Sequence, residues 1–381
     1  MGSVNRSVRG SMGATGATGA TDVAGAAGAP GANLPTLRGR NAALVLDLLR
    51  TAGEGGISRM ELAERTGLTP QAVSKITARL REEGLAEEAG RRASTGGRPG
   101  TVLRLIPSAG HAVGVHLDRD ELTTVLLDLA GAVVGAHTVP LHLGVGALAV
   151  VETVAREVEA LLQSARVLGV GVAMPGPLDH LTGMPQRVTG FPQWEGFPLR
   201  DALAARLGLP VVVDKDTNAA ALGLALRGPG DSFAYLHVST GLGAGLVLGG
   251  ALYRGARTGA GEFGHQVIQL DGPVCSCGKR GCIEVLCLAA VRRGDLDRAS
   301  RVLGTAAANL VALLDIDRVL LGGRVIAAEA GPFVRGVGEL VGVPVALAEG
   351  GAHIVAGGAA QLVLAPLFGR AEASPAAPKI G

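Results

Sequence analysis

Two groups of residues in this chain have the types and spacing that chemistry requires. The first is a cysteine cluster. Three of the four Cys fall in Cys275-Ser276-Cys277-Gly278-Lys279-Arg280-Gly281-Cys282, with His265 ten residues before the first. One imidazole and three thiolates are the donors of a closed tetrahedral site, so His265, Cys275, Cys277 and Cys282 are candidate ligands of a structural Zn2+. Gly278 and Gly281 let the backbone turn tightly around a metal. A redox pair or chance clustering is the alternative. Met1 is followed by no basic-then-apolar leader, which points to a cytoplasmic chain, where clustered Cys favours metal over disulfide. Cys287 lies on the following apolar helix and reads as a small core residue. The second group is polar and basic. Gln71, Ser74, Lys75 and Arg79 share one short helical pattern, and Arg91, Arg92 and Arg98 lie in a Gly-rich stretch just after it. Such side chains can reach base edges and phosphates of double-stranded DNA.

The elements that must position the second group are locally marked. Ala43, Leu44, Leu46, Leu48 and Leu49 form the apolar face of a first helix ending near Gly53. Ser58 and Glu61 form a capping box for a second helix, carrying Met60, Leu62 and Ala63, which stops at Thr66-Gly67. Thr69 caps a third, with Pro70 at its first position, and Val73, Ile76 and Leu80 repeat at three and four. Gln71, Ser74, Lys75, Thr77, Arg79 and Arg81 are left for its other faces. Two short helices joined by a Gly-containing turn are a helix-turn-helix signature. Two short strands, 85–88 and 101–105, flank a basic tip from Arg91 to Gly100 and read as a wing. The plain alternative is a helical hairpin with a charged loop.

Composition sets the frame. Gly makes up 60 of 381 residues, and only nine are aromatic (six Phe, two Tyr, one Trp). Residues 1–36 are low complexity and predict a disordered leader, as does the tail 371–381. The net charge of +2 divides unevenly: residues 37–106 carry twelve basic and eight acidic side chains, and those after 106 carry 21 and 24. A basic block on an acidic body agrees with nucleic-acid binding. The longest uncharged run, Ser232 to Tyr253, is Gly-rich and contains Ser232, His237, Ser239 and Thr240; it reads as strand, loop and strand, so no membrane span is expected.

From Gly110 onward strands and helices alternate, an α/β pattern shared by many folds. Strands are expected at 111–117, 122–129, 132–139, 168–173, 211–213, 233–238 and 245–248, and helices at 150–162, 201–207 and 219–227.

Specific motifs narrow this. Gly261-Glu262-Phe263-Gly264-His265, the Cys-x-Cys-Gly-x-x-Gly-Cys run and Glu284 resemble the signature of the ROK family (repressors, open reading frames, kinases). Thr240-Gly241-Leu242-Gly243-Ala244-Gly245, Asp216-Thr217-Asn218-Ala219-Ala220-Ala221, Val172-Ala173-Met174-Pro175-Gly176 and Trp194 match in order. In the N-terminal segment, Leu62 to Thr69 and Gly96-Gly97-Arg98-Pro99 resemble the family's winged helix. The resemblance covers roughly 37–369 and implies a winged helix-turn-helix (37–106) joined to an actin/hexokinase-like, ribonuclease H-like two-lobed domain (107–370). It further implies a sugar in the cleft between lobes, held by Asp216, Glu262, His265 and Glu284, with one His265 nitrogen on zinc and the other facing the sugar. Trp194, within the implied sugar loop, would report ligand binding by fluorescence.

The chain departs from the family's kinase pattern. Where kinases carry Asp-x-Gly-Gly-Thr, this chain reads His116-Leu117-Asp118-Arg119-Asp120, followed by Glu121. Three carboxylates where ATP phosphates would approach are hostile to a nucleotide, so Asp216 is a vestigial general base and no enzyme is expected. The second phosphate loop, Ser239 to Gly243, remains, and a later turn, Leu321-Gly322-Gly323-Arg324, is one Gly short. Lys215 replaces an Asn, and Gly190 replaces another before Trp194. Lys215 either faces an acidic or phosphorylated sugar, or pairs with a neighbouring acid such as Asp214, or points away. The segment after Glu284 is short. The expectation is a DNA-binding regulator of carbohydrate genes, most simply a repressor, acting as a homodimer or homotetramer on operator DNA and controlled by a sugar or sugar phosphate. A ROK sugar kinase with a DNA-binding arm and a zinc-stabilised scaffold are the competing classes.

Overall fold

The structure, a computed structural model, describes residues 34–92, 100–162, 166–188, 190–228 and 231–370. The N-terminal part contains α1 (Leu34–Ala52), β1 (Ile57–Ser58), α2 (Arg59–Thr66), α3 (Pro70–Glu82), β2 (Ala86–Arg92) and β3 (Gly100–Leu105). Local signals explain these elements. Ser58 Oγ accepts from the Glu61 amide while Glu61 returns a carboxylate to the Ser58 amide. Gly67 ends α2 at φ +68°, a conformation that favours glycine. Thr69 caps α3 with Pro70 at the first position. Strand β3 pairs with both β1 and β2, which completes a three-stranded wing sheet. The two-residue β1 is too short for a period-two pattern and gave no signal.

Three details differ from the sequence reading. Helix α1 begins at Leu34, inside the low-complexity leader, and buries Ala42, Val45, Leu46 and Leu49 while Leu44 faces solvent. Met60 is 77% exposed. Thr77 is buried, its hydroxyl donating back to the Val73 carbonyl, so α3 faces inward along Val73, Thr77 and Leu80.

The remainder forms two lobes of one design. The first contains β4 (His111–Leu117), β5 (Glu121–Asp128), β6 (Val133–Pro140), α4 (Ala147–Leu162), β7 (Val167–Met174), the small hairpin β8 (Leu178–Asp179) and β9 (Met184–Pro185), α5 (Leu199–Leu207), β10 (Val211–Lys215) and α6 (Asp216–Ala225). The second contains β11 (Phe233–Val238), β12 (Leu242–Leu248), β13 (Ala251–Tyr253), α7 (Ile283–Arg292), α8 (Leu296–Leu314), β14 (Arg318–Gly322), α9 (Arg324–Ala328), α10 (Ala330–Gly338), β15 (Val345–Leu347) and α11 (Ile354–Leu364). Sheet order is β6-β5-β4-β7-β10 in the first and β13-β12-β11-β14-β15 in the second. In each, the first three strands in chain order form an antiparallel meander and the last two join in parallel. This repeat is the expected actin/hexokinase-like arrangement. Most expected boundaries shift by one to three residues. One such shift is that of α6, which starts at Asp216 and so places that side chain in a first helical turn.

Helices α6 and α11 run between the two sheets. They cross so closely that a Cβ at Gly358 would strike the Ala219 carbonyl, and β7 meets α11 as closely, a Cβ at Gly171 striking the Ala359 carbonyl. Close approach therefore accounts for part of the Gly and Ala excess in the core. Gly351–Phe368 is the one helical stretch among the described residues long and apolar enough to cross a membrane, and 56% of it is buried inside the protein. After α11 a 3-10 turn (Ala365–Phe368) reaches the winged helix. One apolar cluster joins Val45, Leu46 and Leu49 of α1 to Leu127, Ala360, Leu364 and Phe368. Arg370 donates to Asp47, and the Arg50 guanidinium sits 5.0 Å from the Phe368 ring. The winged helix thus shares core with the lobe it adjoins.

Candidate functional site: a cleft between lobes, a cysteine knuckle and a recognition helix

The cleft lies where two matching hairpin turns meet. The β4–β5 turn carries Asp118, Arg119 and Asp120; the β11–β12 turn carries Ser239, Thr240 and Gly241. Asp118, Arg119 and the β11–β12 turn, together with Lys215, Asp216, Glu262, His265 and Glu284, line a cleft that opens to solvent. The structure therefore brings together every residue expected at the sugar site.

Each is held by a different device. Asp214 is buried and accepts from the Lys215 amide, from Asn218 Nδ2 and from Arg254 Nε, which fixes the start of α6. Asp216, one step further, accepts from the Thr217 amide at 2.6 Å and is otherwise turned to the cleft. Burial, with the Asp118 charge adding to it, pushes its pKa up to about 7. Glu284 sits in the first turn of α7 and accepts from the Leu242 amide at 2.9 Å. Lys215 is buried, and its Nζ donates to Glu262 at 3.0 Å and to the Ala260 carbonyl. Of the alternatives for Lys215, pairing with an acid is the one seen, but the acid is Glu262 rather than Asp214. Trp194 is fully buried in the first lobe, its Nε1 bonded to the Leu143 carbonyl, and does not line the cleft.

The carboxylates of the β4–β5 turn are not left to repel an anion. Arg324, at the start of α9, lies 3.0 Å from Asp118 and 2.6 Å from Asp120. Asp118 also accepts from Ser239 at 3.2 Å and Thr240 at 3.0 Å. The loop expected to be hostile thus has a partner that the sequence reading did not supply: one arginine pairs with two of its three carboxylates. A carboxylate of one lobe accepts from the hydroxyls of the other lobe's turn, and an arginine pairs with it. Sequence reasoning missed this because Asp118 and Arg324 are 206 positions apart. Beneath the latch, His116 and His237 face each other edge-on, with centroids 6.5 Å apart. Burial pushes both down to about 4, so they are neutral at physiological pH. Tyr235 Oη lies 2.9 Å from His237 Nδ1.

The knuckle gathers its four residues. The ligand atoms of His265, Cys275, Cys277 and Cys282 lie within 4.8 Å of one another. Cys275 Sγ is 3.7 Å from His265 Nδ1, and Cys277 Sγ is 3.7 Å from Cys282 Sγ. For a metal–sulfur bond near 2.3 Å a tetrahedron has an edge of about 3.8 Å, so the donor set and spacing fit a tetrahedral ion. Bridges pairing Val267 with Cys282 and Val274 with Arg280 fold the loop. A Cβ at Gly281 would run into the Gln269 carbonyl. Cys287 is buried in the core of the second lobe.

On α3, Gln71, Ser74, Lys75 and Arg79 are exposed on one face. Arg79 shares its charge with Glu83 at 3.6 Å. Arg91 and Arg92 fall on β2 rather than in a loop; Arg98 lies outside the described residues.

Comparison with known proteins follows this division. The ROK family matches residues 112–293 and the MarR family residues 38–98. The ROK hexokinase from Thermus thermophilus aligns at 30% identity and TM-score 0.54, covering 66% of this chain and 96% of that one. The chain belongs to the ROK family. A putative xylose repressor from Caldicellulosiruptor sp. (strain Rt8B.4) is 33% identical over 236 residues, 60% of this chain and 59% of that protein. The chain thus spans about 60% of that relative's length. A ROK family transcriptional regulator, homolog of the E. coli MLC protein, has the same fold (TM-score 0.71, 23% identity, 88% of this chain and 97% of that one). The chain joins a MarR-type winged helix to a ROK domain.

Proposed function

We propose that the protein is a cytoplasmic, sugar-responsive transcriptional repressor. The observation that carries this reading is the occupied phosphate corner: Asp118 fills Ser239 and Thr240, Arg324 pins it, and a winged helix with an exposed recognition face shares the chain. Gln71, Ser74 and Lys75 read base edges, and Arg79, Arg91, Arg92 and Arg98 contact phosphates. A homodimer or homotetramer presents two such helices to a palindromic operator. Asp216, Glu262, His265 and Glu284 accept sugar hydroxyls, each of which must be paired once buried. The name of the xylose repressor relative makes D-xylose the first sugar to test.

His265, Cys275, Cys277 and Cys282 hold a structural Zn2+, which fixes the imidazole through Nδ1 and leaves Nε2 for the cleft. The route from sugar to DNA is short. Asp216 opens α6, α6 packs along α11, and the turn after α11 shares core with α1. An effector that favours one lobe arrangement therefore shifts the winged helices and lowers operator affinity.

The second reading is a ROK sugar kinase. The likeness to the hexokinase and the carboxyl of Asp216 near pKa 7 support it; the latched turn argues against it. Gel shift with the protein's own upstream DNA, with and without sugars, tests the regulator. Transfer of labelled phosphate from ATP to any member of a hexose and pentose panel would overturn the non-enzyme reading.

A further inference from the structure

Two cationic side chains, Lys215 and Arg119, line the cleft, and their situations differ. Lys215 is spent: its ammonium is buried against Glu262 and the Ala260 carbonyl. Arg119 is not. Among the described residues its guanidinium has no hydrogen-bond or ion-pair partner, although it is half-buried at the cleft wall. The acids that could neutralise it are engaged. Asp118 and Asp120 are held by Arg324 and Glu262 by Lys215, while Glu284 accepts from the Leu242 amide and makes no ion pair with Arg119 among the described residues. A side-chain carbon at Gly241 would stand 3.3 Å from Glu284 Oε2 and 3.4 Å from an Arg119 nitrogen. The two groups thus border one gap over Gly241 without closing on each other.

The Arg119 backbone is fixed on both sides. Its amide donates to Asp118 at 2.7 Å, and its carbonyl accepts from the Leu143 amide at 3.1 Å. Asp118 is itself tied to the opposite lobe. The guanidinium is therefore carried by a rigid corner at the boundary between lobes. Its fork of N–H donors matches a carboxylate or phosphate in two-point contact.

We propose that Arg119 is the anion-binding residue of this cleft, and that the effector is a monosaccharide bearing a carboxylate or phosphate group. The hydroxyls face Asp216 and Glu284, with Glu284 taking its hydroxyl on its own side of the gap over Gly241, and the anion sits on the Arg119 side. The proposal rests on the reading of the cleft as a sugar site and names the effector class. It moves the anionic contact expected at Lys215 to a residue whose guanidinium has no ion-pair partner among the described residues. Burial raises the Asp216 pKa to about 7, so its carboxyl is only partly ionised near neutral pH and repels such an anion less than an ordinary aspartate.

Calorimetric titration of the full chain tests this with matched pairs: D-xylose and D-xylonate, D-glucose with D-gluconate and D-glucose 6-phosphate, and inorganic phosphate alone. The carboxylate and phosphate arms separate the two sources of the anion. At least one charged sugar is expected to bind about tenfold or more tighter than its neutral parent. Arg119→Gln removes that preference and leaves the neutral parent within about twofold; Arg119→Lys retains part of it. Both variants are expected to melt within about a degree or two of the wild type, since the Arg119 guanidinium has no hydrogen-bond or ion-pair partner among the described residues to lose. Neutral sugars binding as well as their charged partners, or Arg119→Gln weakening both alike, would overturn the Arg119 proposal and leave the sugar site standing. Binding by no sugar of either kind would overturn the sugar site and this proposal with it.

Discussion

At the scale of single residues, the cleft is assembled from groups kept out of their ordinary states. Burial raises the Asp216 pKa from 3.8 to about 7. The ionised form is thus the one the folded state disfavours. The cost is absent below about pH 4, grows as pH rises, and is complete above about pH 7. Asp216→Asn is therefore expected to raise the thermal midpoint at pH 8, by an amount on the order of a few degrees, and to raise it less at pH 5. The same variant should weaken sugar binding about tenfold or more, because an acceptor carboxylate is replaced by an amide. Calorimetry at the two pH values, with and without sugar, checks both. At the knuckle, one Zn2+ per chain is expected by elemental analysis. Cys282→Ser should lose it and lower sugar affinity about 10–100-fold by freeing His265. Retained metal would contradict the ligand set. The four ligands were legible in the sequence because their types and spacing are local. Arg119 and Arg324 were not, since an arginine's role depends on which acids the fold brings beside it.

At the scale of elements, local chemistry was readable and tertiary chemistry less so. The capping box at Ser58 and the cap at Thr69 are three-residue patterns, and the structure forms both. Thr69→Ala should cost about 1 kcal/mol in denaturant unfolding of the full chain, by removing the acceptor of the Ala72 amide. The spacing of Val73, Ile76 and Leu80 leaves Thr77 for another face, yet its hydroxyl returns to the helix backbone and lets it be buried. The start of α6 was read too late because Asp216, Thr217 and Asn218 are poor helix formers; Asp214 and Arg254, from outside the helix, hold its first turn. On α3, Lys75→Ala should weaken operator binding and reduce its salt dependence, while zinc content and thermal midpoint stay unchanged. A shift in midpoint of several degrees would mean that Lys75 supports the fold.

At the scale of the whole molecule, the repeated lobe topology was implied by motifs rather than by periodicity, since alternating strands and helices fit many folds. The latch between lobes and the junction with the winged helix were invisible in the sequence. Arg370 meets Asp47 across 323 positions, and Phe368 meets Arg50. Arg370→Ala should leave sugar and DNA binding separately intact and reduce the effect of one on the other; unchanged coupling would show that the signal travels elsewhere. Removing Arg324 leaves Asp118 buried without its cation, at a cost of about 1–3 kcal/mol, and should loosen the lobes. The central claim is that a small molecule in the cleft controls DNA held by the winged helix. A gel shift of the full chain on its own upstream DNA, titrated with neutral and charged sugars and repeated with Asp216→Asn, tests it most directly. The account expects a specific complex that one sugar class dissolves and that the variant retains at the same sugar concentration. A complex indifferent to every sugar that binds the cleft, or one dissolved equally in the variant, would contradict it.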